Sequence, residues 1–211
     1  MNAQLERNRA ILKKYIPGPA VDPIANWIYR YDFKLKIKRG RATKYGDYRP
    51  PVKGMNHQIT INNNLNAYAF LITLVHEIAH LSNWEKHAER VKPHGEEWKQ
   101  EFRSLMRPFL SEQIFPQDVI AALNRYLQNP AASSCTDLNL QRTLKRYDKM
   151  DGLRLLEQLP QGSTFVSGRR HFVKGKKLRK RFICRETRTN AQYLFNPLAE
   201  VILVSLPLIT E

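Results

Sequence analysis

The sequence predicts an α+β protein in which helices pack on a small sheet and a small β-rich module follows. Apolar residues recur at helical spacing up to about residue 147, and beyond it short β-like segments alternate with Gly, Asn and Pro. Of the 211 residues, 42% are hydrophobic and 26% are charged, which is typical of a globular protein rather than a disordered one. A chain of this length is long enough to bury a core.

Composition divides the chain into three predicted parts. Residues 1–128 form the domain with helices and a small sheet, and residues 151–211 form the β-rich module. Residues 129–150 form a linker and a short helix, because Asn129-Pro-Ala-Ala-Ser-Ser-Cys-Thr is rich in the residues that loops favour. Cys135, in this stretch, is interpreted as an incidental thiol.

Helix start and stop signals indicate where the helices of the first domain begin and end. Pro17 and Pro19 end the first predicted helix, and Asp22-Pro23 offers a capping residue followed by proline at the first helical position. The Asn-rich run 62–66 breaks a strand and caps the next helix. The predicted helices cover residues 3–16, 24–31, 67–83, 95–110 and 116–127, the predicted strands cover 33–38 and 57–61, and residues 40–54 form a loop or hairpin.

After the linker, a short helix over residues 138–147 precedes a series of short strands. The longest apolar run, 201–209, is interrupted by Pro207 and is far shorter than the roughly 18 residues of a membrane span. We therefore expect a buried strand there and no membrane association, and the N-terminal residues show no apolar signal segment. The predicted strands cover residues 163–166, 171–173, 178–184, 192–195 and 201–204.

The charge is strongly basic and unevenly distributed. The chain carries 35 Lys and Arg against 19 Asp and Glu, a net charge of +16. Residues 141–190 hold 15 basic and 4 acidic residues, a net of +11. Such a concentration predicts attraction to polyanions, above all nucleic acid. Two cysteines exclude a disulfide scaffold and a four-cysteine zinc ribbon, and they favour a reducing, cytoplasmic setting.

The residues that carry chemistry are His76-Glu-Ile-Ala-His80. Two histidines four apart on a helix share one face, so both imidazoles can bind the same Zn²⁺. Glu77 can then accept a proton from a metal-bound water without being a ligand itself. This HExxH spacing is the zincin signature, and it lies here on a helix with apolar residues on its other faces. The alternative is that both histidines lie at the edge of the core and are satisfied by hydrogen bonds.

A catalytic zinc needs a third protein ligand and an open fourth position. A metzincin would need Gly at position 83 and His at position 86, where this chain has Asn and Lys. A thermolysin-type site would use a downstream glutamate such as Glu101. His94 is favoured because it lies just before the next helix, where a loop can fold back to the metal. The residues considered for this ligand are His87, His94, Glu96, Glu97 and Glu101.

The HEIAH motif, followed fourteen residues later by His94-Gly-x-x-Trp98 and a basic, apolar helix, resembles the SprT/Spartan group of zinc metallopeptidases. Arg41-Ala-Thr-Lys-Tyr-Gly-Asp-Tyr-Arg and Ile59-Thr-Ile-Asn upstream also resemble that family, so the resemblance covers roughly residues 5–110. It implies a minimal zincin-like metalloprotease fold. It also implies one catalytic zinc ion bound by His76, His80 and His94, with Glu77 as the catalytic residue. The implied activity is cleavage of proteins bound or crosslinked to DNA.

The chain departs from that pattern downstream, where many bacterial relatives have a zinc ribbon with paired cysteines. Here Cys184 is the only cysteine of the region, so a second zinc ion is not expected. The basic residues of the region predict sequence-independent binding to DNA through phosphates, because no base-reading motif is recognisable. Phe165, Phe172 and Phe182 either stack on bases or lie in the core of the module. The predicted nucleic-acid-binding residues are Arg169, Arg170, Lys174, Lys176, Lys177, Arg179, Lys180 and Arg181.

Three functional hypotheses follow from these features. The leading one is a zinc-dependent endopeptidase acting on DNA-associated proteins, in which the strand 57–61 presents an edge to the substrate. Tyr45 and Tyr48 either line the substrate cleft or cap a loop. The second hypothesis is a zinc-stabilised nucleic-acid-binding protein with little or no protease activity. The third is a general cytosolic peptidase whose charge serves solubility.

Overall fold

The computed structural model describes residues 3–41, 44–52, 54–131, 137–149 and 152–207. Cys135 and residues 42 and 43 of the upstream motif therefore lie outside the described residues. The chain divides into two compact units, Met1–Asp148 and Lys149–Glu211, and both α and β structure are present, as the sequence predicts. None of the helices in the described ranges is long and apolar enough to cross a membrane.

The first unit consists of helices and a three-stranded sheet. Its helices are α1 (Ala3–Leu12), α2 (Val21–Tyr31), α3 (Ala67–His87), α4 (Glu96–Met106), α5 (Gln117–Gln128) and α6 (Leu138–Lys145). Its strands are β1 (Lys34–Lys38), β2 (Gly46–Arg49) and β3 (Gln58–Asn62).

Helix α3 is the central element of this unit. The Asn66 side chain accepts hydrogen bonds from the N–H groups of Tyr68 and Ala69, which fixes the helix start where the Asn-rich run predicted it. The helix continues to His87, four residues beyond the predicted end at Asn83. No Gly or Pro interrupts it, and the histidines and glutamate of the HExxH motif lie in its middle turns.

The order of the strands corrects one prediction. The sheet order is β1–β3–β2, with β3 parallel to β1 and antiparallel to β2. The predicted strand 57–61 corresponds to β3, which is central and has partners on both sides, so the prediction that it presents a free edge is wrong. The edge strands are β1 and β2, and β2 lies within the segment predicted as a loop or hairpin.

Helix α6 belongs to the first unit rather than to a linker. Leu140 and Leu144 are buried in the core of that unit. The Asn66 amide donates to the Leu144 carbonyl oxygen at 2.9 Å and to Asp148 Oδ1 at 2.6 Å. The short helix predicted within 129–150 is therefore present, whereas the assignment of this stretch to a linker differs from the structure, in which the first unit extends to Asp148.

The second unit is a six-stranded antiparallel sheet in the order β4–β9–β5–β6–β7–β8. Residues 178–181, predicted as part of a strand, instead form the turn between β6 and β7. Arg179, Lys180 and Arg181 are all exposed there and give the segment no apolar face to bury. The strands are β4 (Arg154–Leu155), β5 (Thr164–Ser167), β6 (Arg170–Lys177), β7 (Phe182–Glu186), β8 (Gln192–Phe195) and β9 (Glu200–Ser205).

Candidate metal centre

Three histidines converge at the middle of helix α3. His76 and His80 lie one turn apart on α3, and His94 lies in the turn that precedes α4. One ligand nitrogen from each residue lies within 4.8 Å of the other two. The ring centroid of His94 is 4.4 Å from that of His80 and 5.4 Å from that of His76. The structure therefore brings together the three residues that the sequence analysis selected.

The backbone at His94 is unusual for a residue with a side chain. Its φ angle is 61°, in the left-handed region that glycine normally occupies. A hydrogen bond from the Gly95 N–H to the Lys92 carbonyl oxygen, at 2.9 Å, closes the turn that holds this conformation. Strained backbone of this kind clusters at functional sites, where the surrounding structure holds it in place.

Trp98 forms the floor of the cluster. In the sequence it is the last residue of the motif His94-Gly-x-x-Trp98, and the structure shows that it contacts all three histidines. Its ring centroid lies 4.6 Å from that of His76, 5.2 Å from that of His80 and 4.7 Å from that of His94. Trp98 is fully buried and stacks on Phe102. The histidine rings are thus held from one side by a rigid aromatic surface.

The environment keeps the imidazoles neutral, which is the form that binds metal ions. Burial, with the neighbouring histidines as a smaller cause, lowers the pKa of His76 well below its usual value and that of His80 to about 3. Burial also lowers the pKa of His94. His76 Nδ1 and His94 Nε2 are buried and have no hydrogen-bond partner in the described part of the chain. Three neutral imidazoles, two of which have a buried nitrogen without a partner, fit a metal ion such as Zn²⁺.

Glu77 lies next to the cluster and beneath strand β2. It is 7% exposed, and burial, followed by the negative charge of Asp47, raises its pKa to about 8. The backbone N–H of Tyr48 donates a hydrogen bond to the carboxylate. At Gly46 the strand comes so close that a β-carbon there would lie 2.4 Å from Glu77 Oε1. Gly46 and Tyr48 therefore shape the surroundings of Glu77, a role that the sequence analysis did not assign to them.

The other residues considered as the third metal ligand lie outside the histidine cluster. Glu101 accepts a hydrogen bond from Ser82 Oγ at 2.7 Å and pairs with Lys86. Glu96 pairs with Arg103 at 2.9 Å, Glu97 is exposed, and His87 is the last residue of α3. Among the residues with described positions, the potential metal-binding cluster consists of the three histidines alone.

The basic residues of the second unit divide into exposed cations and one buried cation. Lys174 is 4% exposed, its Nζ donates to the Leu159 carbonyl oxygen, and it lies 4.0 Å from the centroid of the Phe182 ring. Its assignment to a nucleic-acid-binding surface is therefore wrong. Lys174 follows the buried Phe172 by two residues, so strand alternation places both side chains on the inner face. The other seven predicted residues are exposed: Arg169, Arg170, Lys176, Lys177, Arg179, Lys180 and Arg181.

The aromatic residues of the same region lie inside the module. Phe165, Phe172 and Phe182 are 0%, 1% and 9% exposed and belong to its core. Of the two interpretations that the sequence allowed, the structure therefore supports the core and excludes base stacking by these rings. Arg170 covers this core from outside, since it donates to the Tyr193 hydroxyl at 3.0 Å and lies over the Tyr193 ring.

Three neutral histidines that converge beside a buried glutamate define a candidate site of the class found in metal-dependent hydrolases. Residues 24–119 match the model of the SprT-like family, so this part of the chain is similar to SprT-like domains. The matched region contains the three histidines, Glu77 and Trp98, whereas the second unit lies outside it. Comparison with curated proteins and with solved structures gives no significant match.

The cluster predicts how metal affinity depends on each histidine. His94→Ala should weaken Zn²⁺ binding by more than about 100-fold, which is the upper end of the loss caused by removing a group that only orients a ligand. Competition with a chromophoric chelator measures this affinity. His87→Ala is the matched control and should bind like wild type, because His87 lies outside the cluster. Equal affinities in all three proteins would contradict the assignment of His94.

Proposed function

We propose that the chain is a zinc-dependent endopeptidase with a zincin-like site, which cleaves proteins bound or crosslinked to DNA. The observation that carries this proposal is the convergence of His76, His80 and His94 beside Glu77, under an edge strand of the sheet. The exposed cations of the second unit support the choice of DNA-associated substrates. The proposed setting is the cytoplasm, with association to the nucleoid as a consequence of DNA binding.

The three histidines would hold the metal ion and Glu77 would transfer the proton. A bound zinc ion lowers the pKa of its water towards about 7 and polarises the scissile carbonyl. Glu77 accepts the proton of the attacking water and delivers it to the leaving amine. Its burial keeps bulk water away from this carboxylate, and the Tyr48 N–H fixes its orientation.

Strand β2 offers a surface for an extended substrate. It pairs with β3 on one side, and no other strand in the described ranges pairs with its second side. The Tyr45 carbonyl oxygen accepts from the Asn62 N–H of β3, whereas the Tyr48 N–H points to Glu77. The unpaired side of β2 therefore faces the candidate base. A peptide added there by main-chain hydrogen bonds would place its backbone next to Glu77.

The second unit would bind nucleic acid through phosphates. Residues 176–181 contain five cations in six positions, all exposed, at and beside the turn between β6 and β7. Phe165, Phe172 and Phe182 are buried and do not stack on bases, and binding through the exposed charges is largely independent of base sequence. Attachment to DNA raises the effective concentration of the peptidase near DNA-bound proteins.

Glu77→Gln tests the peptidase. The variant should keep one metal ion per chain and lose at least about 100-fold of its cleavage rate on a DNA-bound protein, because the amide accepts no proton. Glu97→Gln, an exposed position on α4, is the matched control and should cleave like wild type. Undiminished cleavage by Glu77→Gln would rule out the proposed mechanism. A wild-type protein that binds zinc and DNA but cleaves nothing would favour the alternative, a zinc-stabilised nucleic-acid-binding protein.

Gly46→Ala tests the contact between β2 and the base. The new methyl group would overlap Glu77 Oε1 and lie 2.8 Å from Thr73 Cγ2, so the strand or the carboxylate must shift. A shift of about 1 Å at a reacting group costs on the order of 100-fold in rate, and we expect a loss of that size with metal binding retained. Gly18→Ala, where a β-carbon meets nothing within 4 Å, is the control. Wild-type turnover in Gly46→Ala would show that this contact is not needed.

The DNA contact predicts a characteristic salt dependence. Each phosphate contact contributes about 0.9 to the slope of log affinity against log salt concentration for duplex DNA. Replacing Arg179, Lys180 and Arg181 by Gln should therefore lower that slope by up to about 2.7, as measured by fluorescence anisotropy in a salt titration. The control replaces three exposed cations of the first unit, Arg7, Lys13 and Lys14, and has the same net charge. Equal slopes in both variants would show that binding does not use the turn.

A further inference from the structure

A chain of hydrogen bonds links strand β2 to helix α3 beside the metal centre. The Tyr48 hydroxyl lies 2.9 Å from His57 Nδ1, and His57 Nε2 lies 2.8 Å from Glu85 Oε1. Tyr48 is on β2, His57 directly precedes β3, and Glu85 is on α3, five residues after His80. His57 is 7% exposed, whereas the Glu85 side chain is 50% exposed, so the chain of hydrogen bonds runs from the buried histidine to the surface. The side chains of His57 and Glu85 have no role in the mechanism described above.

The chemistry of the three groups sets the direction of these hydrogen bonds. An ionised carboxylate only accepts, so His57 Nε2 carries the proton and donates it to Glu85. His57 Nδ1 is then an acceptor and receives the hydroxyl proton of Tyr48. Burial, followed by the negative charge of Glu85, raises the pKa of Tyr48, which keeps this hydroxyl protonated. The Trp84 ring packs edge-on against His57, at 5.1 Å between centroids.

Tyr48 in turn contacts two groups of the candidate site. Its ring is nearly parallel to the His80 ring, with 4° between the planes and 6.3 Å between the centroids. Its backbone N–H donates to the carboxylate of Glu77. One residue therefore touches both a candidate metal ligand and the candidate base.

Strand β2 needs such an anchor because its own backbone bonds are few. It has four residues, it is an edge strand, and Pro50 and Pro51 follow it without N–H groups to continue the ladder. We propose that Glu85 and His57 are positioning residues that anchor Tyr48 to helix α3 and thereby hold Glu77 and His80 in their reactive arrangement. This proposal rests on the proposed peptidase function, and it assigns a task to a buried histidine outside the metal cluster.

We call the hydrogen-bonded series Tyr48–His57–Glu85 the relay. Single substitutions test each of its hydrogen bonds separately. Tyr48→Phe removes the hydroxyl but keeps the ring and the backbone N–H. Glu85→Gln removes the charge that orients His57. Tyr45→Phe is the matched control, because it removes a comparable hydroxyl from the same segment, where Tyr45 donates to Gln141 Oε1 at 3.0 Å.

We expect Tyr48→Phe and Glu85→Gln to lower kcat by about 10–100-fold, the usual effect of losing a group that orients a site. KM should change by less than about threefold, since the substrate-binding edge of β2 remains. Tyr45→Phe should keep the wild-type kcat. Each variant should bind one Co²⁺, and the visible spectrum of bound Co²⁺ should shift for Tyr48→Phe but not for Tyr45→Phe.

Two substitutions of His57 provide a rescue test. In His57→Asn the side-chain amide lies near the position of Nδ1 and can still accept from Tyr48. In His57→Gln the amide reaches the position of Nε2, so the bond to Glu85 is kept and the bond to Tyr48 is lost. If the relay acts through Tyr48, His57→Asn should retain more activity than His57→Gln at equal thermal stability.

Several outcomes would overturn the relay. It fails if Tyr48→Phe keeps the kcat and Co²⁺ spectrum of Tyr45→Phe, or if the losses vanish once rates are expressed per folded molecule. It also fails if His57→Gln is as active as His57→Asn. A wild-type protein that binds Co²⁺ without cleaving protein would refute the proposed function alone, and the Co²⁺ spectra would then decide the relay. A wild-type protein that binds no metal would refute both.

Discussion

The burial of helix α3 is the constraint on which the rest of the first unit depends. Fourteen of its 21 residues are buried, and they include His76 and Glu77. A buried polar group without a partner costs on the order of 1–3 kcal/mol, and a buried charge costs more. A helix that carries these residues in its middle is stable only if its neighbours offset that cost. The residues around the candidate site must therefore provide contacts that suit the buried imidazoles and the buried carboxyl group of α3.

The imidazoles and the carboxyl group are accommodated in different ways. The histidines remain neutral, so aromatic rings such as Trp98 can pack against them, and a metal ion would satisfy the nitrogens that lack hydrogen-bond partners. Glu77 needs a donor, and the Tyr48 N–H of strand β2 supplies one. The strand can approach that closely only because position 46 has no side chain. The glycine at position 46 of β2 is thus required by the acid on the neighbouring helix.

The helices and the histidine cluster could be predicted from the sequence because their signals are local. Asn66 marks the start of α3, and the spacing of His76 and His80 determines a shared face. Strand β2 could not be predicted in this way, since Gly-Asp-Tyr-Arg has no apolar alternation and forms a strand only through pairing with β3. The contacts of His57 with Tyr48 and Glu85 span 9 and 28 residues and leave no local pattern. The burial of Lys174 could have been predicted, because strand alternation places its side chain on the same face as Phe172. It was assigned to the nucleic-acid-binding residues because most of its neighbours in the sequence are basic.

The core of the second unit contains a buried cation as well as apolar side chains. Cys184 is buried opposite Lys174 in the β6–β7 pair, and the Lys174 ammonium donates to the Leu159 carbonyl oxygen while lying over the Phe182 ring. A cation of β6 that bonds to the segment between β4 and β5 and contacts a ring of β7 ties these elements together. This use of one lysine inside the module separates the cations by function. The buried cation contacts the core of the module, whereas the exposed cations on the β6–β7 turn are the ones proposed to contact phosphates.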